Sequence, residues 1–417
     1  MLTFIASIKN RLSRDLFFLI TTNVVIVALG LIGSIIQARI LGPEQRGYLA
    51  FVYLFPTLMT YFGSIGLQQA VIYQYGFKRN KSFIWTNALL IIMVLSLLDV
   101  SVCAFVINLF SSKYPGFITK AAFVYVFVLP FSMITLIGAS ILQLEDNFKS
   151  YNKFRIVIPI LNLVTILILW WSKNITILNL TVTQLCISVF SCILLLYYFF
   201  KIDIFFKKKL ISKIEIKNLT NYGLKVWLGD LAQGMNMRSD QMWIAVLLSP
   251  INLGFYVVGN SVAGFLSILG TSYRSKVFSG IVKLNNKEEK LSFLSHIYKD
   301  FLIINLLASL LLASVAILLI PLLYGIQYKN SVIIGCILCG SYFFQNLKSL
   351  YSAASQGLGQ PALSSLTELI GLISLAILAP VFIYFFSLPG LAIGILLSSL
   401  ISYIFLKRSF DSKLSHE

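Results

Sequence analysis

The chain is 417 residues long, 58% hydrophobic and only 12% charged, with a mean hydropathy of +0.88. A soluble domain carries roughly a quarter charged residues, so these numbers exclude a water-soluble fold for most of the chain. The net charge of +18 suggests nucleic acid at first sight, but the positions of the lysines and arginines point to membrane topology instead.

In chain order, Lys9, Arg11 and Arg14 precede an apolar stretch from Leu16 to Leu41. It lacks the short core and cleavage site of a secretory signal and reads as a retained first span. Windows of about 20 mostly apolar residues recur at 16–41, 48–74, 84–110, 117–143, 155–172, 176–200, 223–248, 252–273, 300–321, 331–354, 362–386 and 388–406. The expected fold class is therefore all-α, an integral membrane protein of about twelve transmembrane helices in two six-helix lobes related by a parallel internal repeat. With the N-terminus inside, 25 of the 33 lysines and arginines fall in inner segments, which puts both termini in the cytoplasm. The longest connection, with Lys207, Lys208 and Lys209 at its centre, divides the chain. The expected domains are an N-terminal lobe at 1–203, a basic cytoplasmic linker at 204–222 and a C-terminal lobe at 223–417. The outer connections, such as Gly42–Gly47 and Ser249–Ile251, are too short for a domain. The inner stretch 277–299 reads as an amphipathic surface helix, with Ile281, Leu284, Leu291 and Leu294 on its apolar side.

The two halves echo each other. Leu41-Gly42-Pro43 and Gly47-Tyr48 align with Leu248-Ser249-Pro250 and Gly254-Phe255 at a constant offset of 207, which Gly63 and Gly270 share. Gln143 and Gln356 form a weaker pair. Pro-xxx-Gly suits a tight turn between helices, because Pro cannot continue a helix and Gly tolerates unusual backbone angles. Six spans per half is an even number, so the copies enter from one side, as in transporters built from parallel repeats.

Seven ionisable residues fall within the spans: Arg39, Asp99, Asp230, Arg238, Asp240, Lys348 and Glu368. Charge at bilayer depth is costly and turns toward a wet cavity or a partner. Span 7 carries the densest set. At about 100° per residue, Asp230, Gln233, Asn236, Arg238, Asp240 and Gln241 cover about half of a continuous helix, and Leu228, Leu231, Met235 and Met242 fill the other half. Such a face lines an aqueous cavity between the halves, or else Arg238 pairs with an internal acid. Lys348 shares a face with Gln345 and either lines the cavity or snorkels to the inner surface. Arg39, near the outer end of span 1, is a snorkelling anchor or a ligand contact, and Arg274 is a positive-inside anchor at the end of span 8. Asp99 and Glu368, isolated acids in apolar helices, are ion-coupling candidates or buried structural partners.

Catalytic constellations are missing from the sequence. The two histidines, His296 and His416, lie away from the five cysteines. Cys336 and Cys339 form a CxxC inside an apolar run and read as packing residues, and no zinc pattern is present. There is no HExxH and no GxxxxGK[ST] loop. No enzyme, no cofactor and no metal site is expected, and energy would come from an ion or substrate gradient.

The layout of twelve spans, the stretch Gln37-Ala38-Arg39-Ile40-Leu41-Gly42-Pro43-Glu44-Gln45-Arg46-Gly47-Tyr48, and Gln356-Gly357-Leu358-Gly359-Gln360-Pro361 after span 10 resemble the Wzx-type polysaccharide flippases of the multidrug/oligosaccharidyl-lipid/polysaccharide exporter superfamily. The resemblance implies two lobes forming a V around a central cationic cavity in the cell inner membrane. It implies as substrate an undecaprenyl-pyrophosphate-linked O-antigen or capsule repeat unit, with membrane lipids and a proton or sodium ion as the other partners. In that frame Arg238 and Lys348, then Arg39 and Arg274, would hold the pyrophosphate. Gln233, Asn236, Asp230 and Asp240 would complete the site, with the two acids neutralising Arg238 or contacting sugar hydroxyls. The rival readings are a multidrug or organic-cation antiporter of the same layout, a lipid II flippase, which usually carries extra spans, and a membrane O-antigen polymerase or ligase. The last would bear a large outer loop.

Overall fold

A computed structural model describes residues 2–75, 81–144, 148–202, 204, 210–284 and 286–416, all of them helical or in short connections. The helices are α1 (Leu2–Gly63), α2 (Leu67–Tyr75), α3 (Lys81–Phe110), α4 (Gly116–Val126), α5 (Val128–Leu144), α6 (Phe148–Trp171), α7 (Ile177–Lys201), α8 (Lys213–Asn236), α9 (Ser239–Leu247), α10 (Pro250–Ala263), α11 (Ser267–Lys283), α12 (Lys287–Tyr324), α13 (Asn330–Gly357) and α14 (Pro361–His416). Helices satisfy every backbone donor and acceptor within the segment, as hydrocarbon demands.

Among the described residues eight helices are long and apolar enough to cross a bilayer, and α4 with α5, bent by 40°, makes a ninth span. Two of the eight are far too long for one crossing: Thr21–Gly63 has 43 residues and Pro361–Ser412 has 52. Each breaks midway, at Gly42 (φ 72°) and at Ser387 (φ 52°). In α14 the two arms lie side by side, since Ser398 Oγ donates to the Gly371 carbonyl at 2.8 Å. A further crossing comes from α8 with α9, where α8 is too polar to register by hydropathy. Among the described residues this gives twelve crossings, in keeping with the expected all-α membrane protein of about twelve transmembrane helices.

The chain packs as two units, Met1–Gly33 with Phe51–Leu231 and Ser34–Ala50 with Ala232–Glu417. Chain order alone places the lobe boundaries at 203 and 223; packing places residues 34–50 with the second unit and passes the division through α8. The first unit has a core around Trp85, Ile84, Leu195 and Phe199. After the basic linker, whose Lys207–Lys209 lie outside the described residues, Asn87 of that unit ties the chain down. Its Nδ2 donates to the Leu210 carbonyl at 3.0 Å and its Oδ1 accepts from Ser212 N–H at 2.9 Å. Ser212 then caps α8, accepting from Glu215 N–H at 3.4 Å, in the S-x-x-E arrangement that starts helices.

The second unit has its core around Val277, Phe301, Leu347, Leu350 and Tyr351. Here the structure corrects the reading of 277–299. No separate surface helix forms there. Ile281 lies in the last turn of α11 and Leu294 in the third turn of α12, and both are buried in this core, because the two helices pack on each other there.

The repeated Pro-xxx-Gly also has a different basis from the one the sequence suggests. The turns are made by Gly42, at φ 72°, and by extended Ser249. Pro250 opens α10, where its missing N–H costs nothing. Gly47 and Gly254 sit where the two copies cross each other. A Cβ on Gly47 would lie 1.7 Å from the Pro250 carbonyl oxygen, and one on Gly254 would lie 1.9 Å from that of Pro43. Backbone touches backbone there, so no side chain fits without separating the helices. Gly254→Ala is expected to destabilise the protein by about 1–3 kcal/mol, the usual cost of overpacking. A thermal melt of the detergent-solubilised protein, read by size-exclusion chromatography, checks this; an unchanged midpoint would show that the crossing can open freely.

Candidate functional site

Span 7 is not the continuous helix that the sequence suggests. α8 ends at Asn236 and α9 starts at Ser239, with Arg238 at the N-cap of α9 at φ −139°. A wheel drawn through 230–241 therefore misplaces everything after Asn236. Asp240 falls in the first turn of α9, where a carboxylate suits the positive helix end. Its Oδ1 accepts from Gln241 N–H at 2.7 Å, and its Oδ2 accepts from the Tyr256 hydroxyl of α10.

Beside the break lies a cavity of about 420 Å³ inside the second unit, lined by residues of α8 to α11, α13 and both arms of α14. That volume lies in the range of about 300–1,000 Å³ typical of small-molecule pockets. At its centre Lys348 of α13 faces Glu368 of α14, with Nζ 3.0 Å from both Oε1 and Oε2. Asn236 completes the group, its Nδ2 donating to the Glu368 carboxylate at 3.0 Å and to the Glu368 backbone carbonyl at 2.7 Å. The pair is only partly shielded, with side-chain exposures of 16% and 24%.

Apart from Asp240, the rest of the wall is neutral and rich in hydrogen-bonding groups. The Tyr342 hydroxyl donates to Asn260 Oδ1 at 3.1 Å, and Gln345 Nε2 donates to Ser341 Oγ at 2.9 Å. Ser398, Ser399 and Ser402 line it from the second arm of α14. Ser402 stands four residues after Ser398 and three after Ser399, and Asn260 four after Tyr256, spacings that share a helix face. That signal was present in the sequence and carried no charge to draw notice.

Of the residues singled out by sequence, the structure thus gathers Lys348, Glu368, Asn236 and Asp240 around one cavity. Arg238 does not line it. The others stand elsewhere. Arg39 donates from Nε and Nη2 to the carbonyls of Leu323 and Leu322, at 2.6 and 2.5 Å. These are last-turn carbonyls of α12, which have no partner within the helix, so Arg39 caps a helix. Arg274 Nη2 donates to Gln356 Oε1 at 3.3 Å, and Gln356 passes a bond to Ser364 at 3.3 Å. Asp230 is half-buried in the part of α8 that belongs to the first unit. The Gln233 side chain lies outside the described residues. Asp99, 3% exposed, packs against Gly63 of α1, where a Cβ would lie 1.6 Å from the carboxylate. Glu368 is not the isolated acid that the sequence suggests, because its partner Lys348 sits on another helix.

The family model for polysaccharide biosynthesis proteins matches residues 36–333. Among solved structures, the lipid II flippase MurJ in an inward closed conformation aligns over 93% of this chain and 86% of its own, at TM-score 0.77 and 15% identity. An inward-facing multidrug resistance MATE family transporter of the MOP superfamily aligns over 93% and 95%, at TM-score 0.73 and 14% identity. A MOP superfamily transporter from Pyrococcus furiosus, its binding pocket described as of reverse polarity, aligns over 96% and 95%, at TM-score 0.65 and 16% identity. At these identities the likeness is one of fold. No curated protein matches the chain.

The Lys348–Glu368 pair should show the asymmetry of shielded ion pairs. Lys348→Met leaves a carboxylate uncompensated and is expected to cost up to about 3 kcal/mol, at or below the low end for a fully buried pair. Adding Glu368→Gln should recover most of that loss. A double-mutant cycle on thermal midpoints checks it; additive losses would mean that the two side chains do not interact.

Proposed function

Because the chain belongs to the polysaccharide biosynthesis protein family, we propose that it is a flippase carrying a lipid-linked oligosaccharide between bilayer leaflets by alternating access. The observation that carries this reading is the cavity in the second unit. It holds amides, hydroxyls, one charge pair and Asp240 among membrane-crossing helices. Sugars present hydroxyls in every direction, and Asn260, Gln345, Ser398 and Ser402 supply donors and acceptors to meet them. Asn236 and Lys348 face the substrate most directly. Arg238, two residues before Asp240, is the cation best placed to balance that acid as the headgroup enters.

On this reading the substrate is an undecaprenyl-pyrophosphate-linked O-antigen or capsule repeat unit, taken from the cytoplasmic to the outer leaflet of the inner membrane. The termini are cytoplasmic and the chain is a carrier, with no bond made or broken. Asp99, buried against Gly63, is the coupling acid for a proton or sodium ion. Glu368, held by Lys348, is a positioning group.

One rival has a specific observation behind it. Asp240 and Glu368 both line the cavity, beside the rings of Tyr256 and Tyr342, and acids with aromatic faces also suit organic cations. Proteoliposomes separate the two. The protein is expected to speed leaflet exchange of a fluorescent polyprenyl-pyrophosphate oligosaccharide. Asn236→Ala and Lys348→Ala should slow it about tenfold each, the value of a hydrogen bond to a charged group. Uptake of a cationic dye without any lipid exchange would replace the flippase reading by the antiporter.

A further inference from the structure

The first unit holds a second cavity of different character. It measures about 270 Å³ and is almost wholly apolar, lined by Ile65 at the α1–α2 break, Leu90, Ile91 and Leu95 of α3, and Ile216 of α8. It opens sideways. Val94 also lines it and is 61% exposed, and its neighbours Leu97 and Leu98 on α3 are exposed with it. These side chains face acyl chains in a membrane, so the opening leads into hydrocarbon and not into water.

Two further features mark the place. Lys213 and Lys217 are exposed and lie within a turn of Ile216 and Thr220, the α8 residues of the wall. At 3.6 residues per turn both lysines fall on or beside the same helix face. The start of α8 that carries them is fixed by Asn87 and by the Ser212 cap. The second feature is Ile65, a β-branched residue at φ 44°, followed by Gly66 at φ 65°. A β-branched side chain in the left-handed region is a genuine outlier. It is held by a tight crossing, where a Cβ on Gly66 would lie 2.2 Å from the Gly223 carbonyl oxygen. The apolar wall is therefore built around a strained turn, and the helix face of α8 that lines it also carries two exposed lysines.

We propose that this cavity is a binding site for an anionic phospholipid of the surrounding leaflet, with an acyl chain in the pocket and the phosphate on Lys213 and Lys217. The amphiphile is matched end to end: hydrocarbon against Ile65, Ile91 and Ile216, negative charge against the two lysines. The exposed face of α3 lets the lipid enter from the bilayer without passing through water. A bound chain fills the space beside Ile65 and holds the α1–α2 break in its present form. The site lies wholly in the first unit, separate from the polar cavity of the second, and does not depend on which substrate that cavity takes.

The test uses the full-length protein in phosphatidylcholine vesicles doped with a phosphatidylglycerol that carries a diazirine midway along one acyl chain. Labelling mapped by mass spectrometry should concentrate on peptides containing 64–67, 90–95 and 216–220, above the level on the lipid-facing side of α12. Lys213→Glu and Lys217→Glu are surface changes that leave the fold intact, and each should lower that labelling about fivefold, the worth of one lysine at an anionic surface. Ile91→Trp, which fills the pocket, should abolish it while labelling of α12 persists. Equal labelling by a zwitterionic diazirine lipid would overturn the proposal in favour of an ordinary annular contact. Displacement of the probe by a polyprenyl phosphate, but not by excess phosphatidylglycerol, would overturn it in favour of a site for the carried lipid.

Discussion

A lysine ammonium held 3.0 Å from both oxygens of a glutamate, among helices that cross a bilayer, is the interaction on which the second unit depends. Neither ion could stay charged alone at that depth without large cost. Together they are tolerated, and the requirement that they meet fixes α13 against the first arm of α14. Asn236 then ties the end of α8 to the same carboxylate. The helix break that follows places Asp240 under Tyr256. One carboxylate, that of Glu368, thus joins three helices, α8, α13 and α14, at the wall of the cavity.

The sequence made the spans legible and left their partners hidden, for one physical reason. Hydropathy is a local sum, so twelve apolar windows survive any arrangement of the helices. Pairing is non-local. Glu368 reads as an isolated acid because Lys348 is twenty residues away on another helix. Asp240 finds Tyr256 sixteen residues on. The break at Met237–Arg238 has no proline to announce it, and a helical wheel carried through it assigns Arg238 a direction it does not have. Arg39 was legible as a costly charge, yet its carbonyl partners on α12 lie 283 and 284 residues along the chain.

The echo between Leu41-Gly42-Pro43 and Leu248-Ser249-Pro250 shows the opposite case, a signal that was seen and given the wrong cause. Glycine in a short connection suggests a turn. Gly47 and Gly254 serve instead as flat places where backbone meets backbone, the same use that small residues have wherever membrane helices approach closely. The consequence reaches further than a turn would. By gripping α10, the second half of the Pro43–Gly47 stretch packs residues 34–50 with the second unit. Tyr328 adds to the grip, its hydroxyl donating to the Ala38 carbonyl at 3.0 Å.

The disposition of cations bears on how a carrier of this kind could turn over. A cavity lined with free arginine and lysine would hold a pyrophosphate very tightly, since one pair of unit charges at 4 Å is worth about 4 kcal/mol even at an effective dielectric of 20. Here Arg39 is committed to helix carbonyls, Arg274 to Gln356, and Lys348 to Glu368. Besides the Lys348–Glu368 pair and Asp240, the cavity presents neutral donors and acceptors, each worth about 0.5–1.5 kcal/mol. Several such bonds can recognise a sugar, and each can be released singly. A substrate held this way pays no large electrostatic penalty on leaving, which a carrier needs on every cycle and a receptor does not.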